Sequence, residues 1–359
     1  MKKALSLILA VVMLAVVLVG CSSSTGTTTG TDTASTASTG TSADTGNAAA
    51  TGQTFKIMAA HGAAESTTLH EGWLKFKELI EAESNGAITV DIYPNQELGG
   101  DREYTEACTQ GNVDMGSPSS ANMAGFDTTL NAFESPFLFS DRDTVYKVLD
   151  SEIGTKILET LDQANLKGLG YFENGFRELT TNKAINSLED LKGLKIRVME
   201  NDIHIAIWQN LGANPSPLAF GELFTALQQK TFDAQENPLE LIYNTKFYEV
   251  QDHVTMTNHI YTPYIVFMNK DYWNSMPAEY QTMVQDCLTQ AVDYQRSLCA
   301  DAEAACRQKI NDSGKSTVYD LPEETLATFA DACSPVYDMV REKAGDIADE
   351  LYQAAGKNF

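Results

Sequence analysis

The sequence predicts an α/β protein of two lobes with a cleft between them and one long helix behind both. Three observations carry this expectation. Strand, helix and strand follow one another within forty residues from Phe55 to Tyr93, which implies a parallel sheet. A second such series runs from Leu194 to Glu236. A helical pattern without interior Gly or Pro then extends from Tyr280 to about Ile310. At 1.5 Å per residue that is about 45 Å, more than one small lobe needs.

The elements follow in order. Phe55–Ala59 is an apolar run suited to a buried strand, and Ala60-His61-Gly62 closes it as a loop. Leu69, Trp73, Phe76 and Ile80 recur at helical spacing with charged residues between them, so one face of this helix is buried. Asn85-Gly86 turns the chain into the alternating strand Ile88–Tyr93. A helix over about Arg102–Gln110 and a strand over Val113–Ser117 come next. The polar loop Ser117-Pro118-Ser119-Ser120 then lies at a strand's carboxyl end, where open α/β sheets bind ligands. The second unit starts near Gly175, with strands over Leu194–Val198 and Asp233–Glu236 and helices over Ile203–Leu211 and Phe220–Gln229. Pro215 and Pro217 mark a loop between these helices. Tyr261–Asn269 reads as a strand returning to the first sheet, with Tyr261, Tyr264 and Phe267 as core. Pro322 and Pro335 punctuate a helical C-terminal region.

The chain opens with an address. Lys2 and Lys3 precede an apolar stretch, Leu5–Val19, that is short for a spanning helix, and Leu18-Val19-Gly20-Cys21 resembles a bacterial lipobox. Residues 1–21 are therefore expected to be a lipoprotein signal peptide, with lipid on Cys21 and the protein exported and anchored to a membrane. Residues 22–53, nearly all Ser, Thr, Gly, Ala and Asp, cannot offset the entropy of ordering. They read as a disordered tether with a reach of about 30 Å. A net charge of −24 argues against nucleic acid or anionic lipid surfaces as partners, and requires local positive charge for any anionic ligand. Beyond Cys21 there are five cysteines, Cys108, Cys287, Cys299, Cys306 and Cys333, with no C-x-x-C pair, read as buried apolar residues. The five histidines show no metal-binding spacing, and no P-loop, Rossmann glycine fingerprint or nucleophile elbow occurs from Thr54 onward. No cofactor, metal or catalytic residue is expected.

The region from Gly175 to Pro238 is the most informative. Arg177 and Arg197 lie 20 positions apart, and Asn237-Pro238 follows 40 further on. A guanidinium matches a carboxylate's two oxygens in a way that lysine does not. Taken alone, Arg197 reads equally as the partner of a structural Asp or Glu. With Tyr93-Pro94, Gln96, Leu98-Gly99, Ala184-Ile185-Asn186-Ser187, Ala226-Leu227-Gln228 and Gln235-Glu236-Asn237-Pro238, the layout over residues 55–356 resembles the substrate-binding subunits of tripartite ATP-independent periplasmic (TRAP) transporters, the DctP-type family. Ala234 and Met199 depart from it, standing where the family usually has glycine and proline. The resemblance implies a periplasmic-binding-protein-like fold, with lobe I formed by residues 54–174 plus about 263–302 and lobe II by 175–262 plus about 303–356. It implies that Arg197 pairs with the carboxylate of an organic acid, that Arg177 and Asn237 help hold it, and that Phe220 packs against it. It further implies an acid such as a C4-dicarboxylate, sugar acid or sialic acid, delivered to an ion-gradient-driven membrane permease. His61 and Ser119 are the candidate cleft residues of lobe I, where ligands are told apart. Two alternatives are a binding protein for another importer or a sensor, and an extracellular enzyme acting on anionic sugars with His61 as base.

Overall fold

The computed structural model describes residues 52–359. The leader, Cys21 and the tether up to residue 51 lie outside them. The first half is built as its periodicity dictates. Strand β1 (Phe55–Ala60), helix α1 (Thr68–Glu83) and strand β2 (Ile88–Tyr93) form a unit in which β1 pairs parallel with β2. Thr67 caps α1, its hydroxyl accepting from the His70 amide. Leu69, Trp73, Phe76 and Ile80 are buried on one face of α1. Asn85 and Gly86 both take positive φ, as the turn requires. Helix α2 (Asp101–Thr109) and the two-residue strand β3 (Met115–Gly116) follow, β3 being shorter than the apolar run suggests. Helices α3 (Ser120–Met123), α4 (Arg142–Leu149) and α5 (Glu152–Thr160) lead into the second half.

Near Gly175, where the sequence divides the chain, one strand changes its pairing partner. Strand β4 runs unbroken over 16 residues, Leu166–Thr181. Its first part pairs antiparallel with the strand over Tyr261–Asn269, and its last part with the strand over Ala234–Pro238. Irregularities in register at Gly168/Gly170 and Glu173/Gly175 bend it, and Gly175 has φ +114°, a conformation only glycine adopts without strain. One strand thus belongs to both halves of the sheet. The second half continues with β5 (Lys195–Val198), α6 (Asp202–Asn210), β6 (Asn214–Pro217), α7 (Phe220–Gln228), β7 (Ala234–Pro238) and α8 (Leu239–Asn244). The Pro215–Pro217 segment, expected as a loop, is the edge strand β6, parallel to β5; at an edge, a proline's missing N–H costs no ladder bond.

Strands β8 (His253–Met256) and β9 (Tyr261–Asn269) carry the chain back, β9 pairing with both β3 and β4 as expected of a return to the first sheet. After the short helix α9 (Lys270–Ser275) comes α10 (Ala278–Asp312), 35 residues or about 52 Å. Its beginning buries Tyr280, Val284, Leu288 and Val292 with α1 and β1, while Cys306 and Ile310 at its end join the core under α7 and α8. It therefore spans both halves, forming a two-lobed α/β fold. Strand β10 (Thr317–Asp320) pairs with β8, and helices α11 (Glu323–Ala332), α12 (Val336–Ala344) and α13 (Asp346–Ala354) close the chain. Cys108, Cys287, Cys299, Cys306 and Cys333 are all buried free thiols.

Candidate functional site

Two sets of parallel strands end at the same place. Gly62, Gln96 and Ser119 follow the carboxyl ends of β1, β2 and β3; Met199, Leu218 and Asn237 lie at those of β5, β6 and β7. All six line one cavity of about 290 Å³. Strand ends leave backbone groups unpaired and loops free to vary, which is why ligands bind there. The loop after β2 is held in an unusual shape: Asn95 (φ 54°) and Gln96 (φ 61°) are both left-handed. Such conformations in non-glycine residues concentrate at ligand clamps. The loop brings Gln96 against Gly221 at the start of α7, where a Cβ would lie 2.9 Å from the Gln96 Oε1. Glycine allows the two halves to approach this closely.

Arg197, on β5, is only 2% exposed. Its Nε and Nη2 donate to the Leu218 carbonyl, at 2.8 and 2.5 Å, and its Nη1 has no hydrogen-bond partner. No carboxylate of the described residues forms an ion pair with it, so the structural pairing that the sequence left open does not occur. Burial pushes its pKa down to about 10 against the pull of Glu236. A buried, uncompensated guanidinium facing a cavity is costly unless something anionic completes it. Helix α7 adds to this field, since its N-terminal turn, the positive end of the helix dipole, also lines the cavity.

Arg177, on β4, also lines the cavity but is already paired. Its Nε donates to Glu236 Oε2; its Nη2 donates to Glu236 Oε1 at 2.9 Å, to the Glu236 carbonyl at 2.5 Å and to Asn237 Oδ1 at 3.1 Å. Only Nη1 lies outside these bonds. Glu236 is wholly buried; burial disfavours its charge, but Arg177, His204 and His259 outweigh that and hold its carboxyl well below the ordinary range. His204 Nε2 lies 2.7 Å from Glu134, with its Nδ1 3.7 Å from Glu236. Burial opposes its charge, yet the two carboxylates raise its pKa above the ordinary value. His259, 3.2 Å from Glu236, is lowered chiefly by burial. Ser120 donates to Glu134 at 2.6 Å, so the network reaches from β7 and α6 to the loop after β3.

The structure brings Arg197, Arg177, Asn237, Phe220 and Ser119 together around the cavity. The Ser119 hydroxyl is buried without a partner. Asn237 is engaged at both ends of its amide, donating 2.6 Å to Gln235 as well as accepting from Arg177. Phe220 packs edge-to-face on Phe247. His61 is the exception. It lies behind the wall formed by Gly62 and Ala63, fully buried, with Nε2 3.1 Å from His70 Nδ1. β1 ends by turning its next residue inward, and burial, then His70, pushes its imidazole down to about 3. Tyr264 is core, as read from the sequence, and also lines the cavity, whereas Tyr261 and Phe267 are core alone. Sequence reasoning missed Asp101, Asn122 and Asn174, which lie outside the recognisable motifs. Glu236 stands in a recognisable motif, but its pairing with Arg177 arises only from the alignment of β4 with β7. Among the described residues, no cluster of acidic, His or Cys side chains is arranged to hold a metal ion, and no helix is long and apolar enough to cross a membrane.

Comparison with known proteins places this geometry. The family described as "Bacterial extracellular solute-binding protein, family 7" (DctP) matches residues 59–343. The C4-dicarboxylate-binding periplasmic protein DctP of Rhodobacter capsulatus is 32% identical over 290 residues, 80% of this chain and 87% of that protein. The sugar acid binding protein DctPAm of Advenella mimigardefordensis, solved with galactonate, superposes with a TM-score of 0.82 at 29% identity, covering 85% of this chain and 98% of that one. A TRAP periplasmic solute binding protein of Shewanella oneidensis with bound succinate gives 0.81 at 33% identity, covering 85% and 100%. Family match, fold and a cavity at the strand ends agree: the chain belongs to the DctP-type extracellular solute-binding proteins of TRAP transporters.

Proposed function

We propose that this protein captures an organic acid by its carboxylate in the cavity between the lobes and delivers it to an ion-gradient-driven TRAP permease, without chemically changing it. The observation that carries this reading is Arg197: buried, without an ion pair among the described residues, and with Nη1 unpartnered there at the cavity. An incoming carboxylate supplies both the missing counter-charge and the missing acceptors, in the paired geometry a guanidinium favours. Arg177 contributes its remaining nitrogen, Phe220 an apolar wall and Ser119 a hydroxyl. Closure of the lobes about β4, β9 and α10 would remove water and strengthen the ion pair. Relatives of the same fold bound to galactonate or succinate support a carboxylate as the ligand. The body is held outside the cytoplasm by lipid on Cys21; Cys21→Ser would then release it from membranes to the soluble fraction.

The test of the receptor reading is a thermal-shift screen of the purified protein against C4-dicarboxylates, 2-oxo acids, aldonates, uronates and sialic acid, with each acid assayed afterwards for consumption. Stabilisation by an acid that is recovered intact is expected. Turnover of the acid, or no stabilisation by any, would sink the reading.

A further inference from the structure

The cavity also carries negative charge. The first half contributes Asp101, which lines it and acts on the Arg197 charge, and whose carboxylate is fixed by three donors: Tyr104 Oη at 3.0 Å, the Ser119 amide at 3.1 Å and Asn122 Nδ2 at 2.9 Å. Three donors on two oxygens leave lone pairs still able to accept. Three further carboxylates line the same cavity, Glu103, Glu200 and Glu222, and none of the four makes an ion pair among the described residues. Neutral amides line it too: Gln96, Asn122 and Asn174, the last with a buried Oδ1 that has no partner among the described residues. Arg102 is the one further cation on the cavity wall, and it is exposed at the mouth beside Glu103.

Ligand chemistry can be read from this polarity. A second carboxylate at the far end of the ligand would meet Asp101 and its neighbours, and like charges at such range are repelled. Hydroxyl groups there would instead donate to the free lone pairs of Asp101 and to the Asn174 oxygen, while accepting from the Gln96 and Asn122 amides. A site built to hydrogen-bond hydroxyls also rejects analogues that lack them, because its buried polar groups are left unpaired. Resting on the receptor reading above, we infer that the ligand is a polyhydroxylated monocarboxylate, a sugar acid, with its carboxylate on Arg197 and its hydroxyls against Asp101, the specificity-determining residue.

The experiment is calorimetric titration of the purified protein with D-gluconate, D-galacturonate, succinate, hexanoate and γ-aminobutyrate. A sugar acid is expected to bind at least about ten-fold more tightly than succinate or hexanoate, the effect of one or two hydrogen bonds to a charged group. Asp101→Asn, checked for unchanged thermal unfolding, should weaken the sugar acid about ten-fold and narrow its lead over succinate. If succinate or γ-aminobutyrate binds most tightly, the inference is overturned while the receptor reading stands; tight succinate binding lost in Arg102→Gln would identify the second anion clamp that this inference denies. If no acid binds at all, the receptor reading fails with it. The ranking of the five probes on the unaltered protein stands even if the Asp101 variant does not fold.

Discussion

Replacing Arg197 by methionine should move binding and stability in opposite directions. Methionine keeps an unbranched stem reaching about as far as the arginine Nε and loses the charged guanidinium. In the ligand-free protein the guanidinium is desolvated and forms no ion pair among the described residues, and a pKa pushed down to about 10 corresponds to roughly 3 kcal/mol of unfavourable burial. Against this relief stands the loss of two hydrogen bonds to the Leu218 carbonyl, worth about 1–3 kcal/mol if that oxygen is left unsatisfied. The two terms nearly cancel, so the ligand-free unfolding midpoint should hold or rise. Binding has no such compensation. Burying the ligand's carboxylate without its partner should cost about 2–5 kcal/mol, roughly 30- to 5,000-fold in Kd. Arg197→Lys should fall between, keeping the charge but not the planar fork. Thermal unfolding and calorimetric titration of the same preparations measure both. A methionine variant that binds within about three-fold of the parent, or that loses stability while binding is unchanged, would refute the anchoring role.

Other outcomes follow from the buried charges. Glu236→Gln leaves Arg177 and His204 without their shared counter-charge, and should destabilise the fold by about 3–5 kcal/mol in denaturant titrations. Glu178 on β4 accepts from the Thr257 and Asn258 amides, and burial pushes its carboxyl up to about 8. The folded state therefore holds this proton where the unfolded state has released it. Stability should fall as pH rises from the ordinary carboxylate range to about 8, and Glu178→Gln should abolish that loss, a difference of a few kcal/mol. His61 gives the opposite sign. With its imidazole at about 3, the unfolded chain binds a proton near pH 6.5 that the folded chain refuses, so stability falls on acidification; His61→Gln should flatten unfolding midpoints measured between about pH 6 and pH 4.

The lobes differ in how far their sites could be read beforehand. In the second, Arg177, Arg197 and Asn237 stand at fixed offsets in recognisable motifs, and all three reach the cavity. Their division of labour was not legible: that Arg177 is neutralised by Glu236 while Arg197 is not depends on which faces of β4, β5 and β7 meet, through pairings such as Arg197 with Gln235. In the first lobe, Ser119 was found from its place at a strand end. Asp101 was missed because its acceptor role arises from Ser119 and Asn122, 18 and 21 residues away. His61 was misplaced because local sequence cannot say on which side of a loop a side chain falls.

By itself, the sequence determined the α/β alternation, the long helix α10 and the buried faces, all of which rest on short-range periodicity and residue chemistry. Only the tertiary structure decided that β4 is one strand shared by both halves, that Pro215–Pro217 is an edge strand, and that arginines and carboxylates from distant parts of the chain line one cavity. These depend on long-range pairing and on burial, which set the charge each side chain presents and which partners it has.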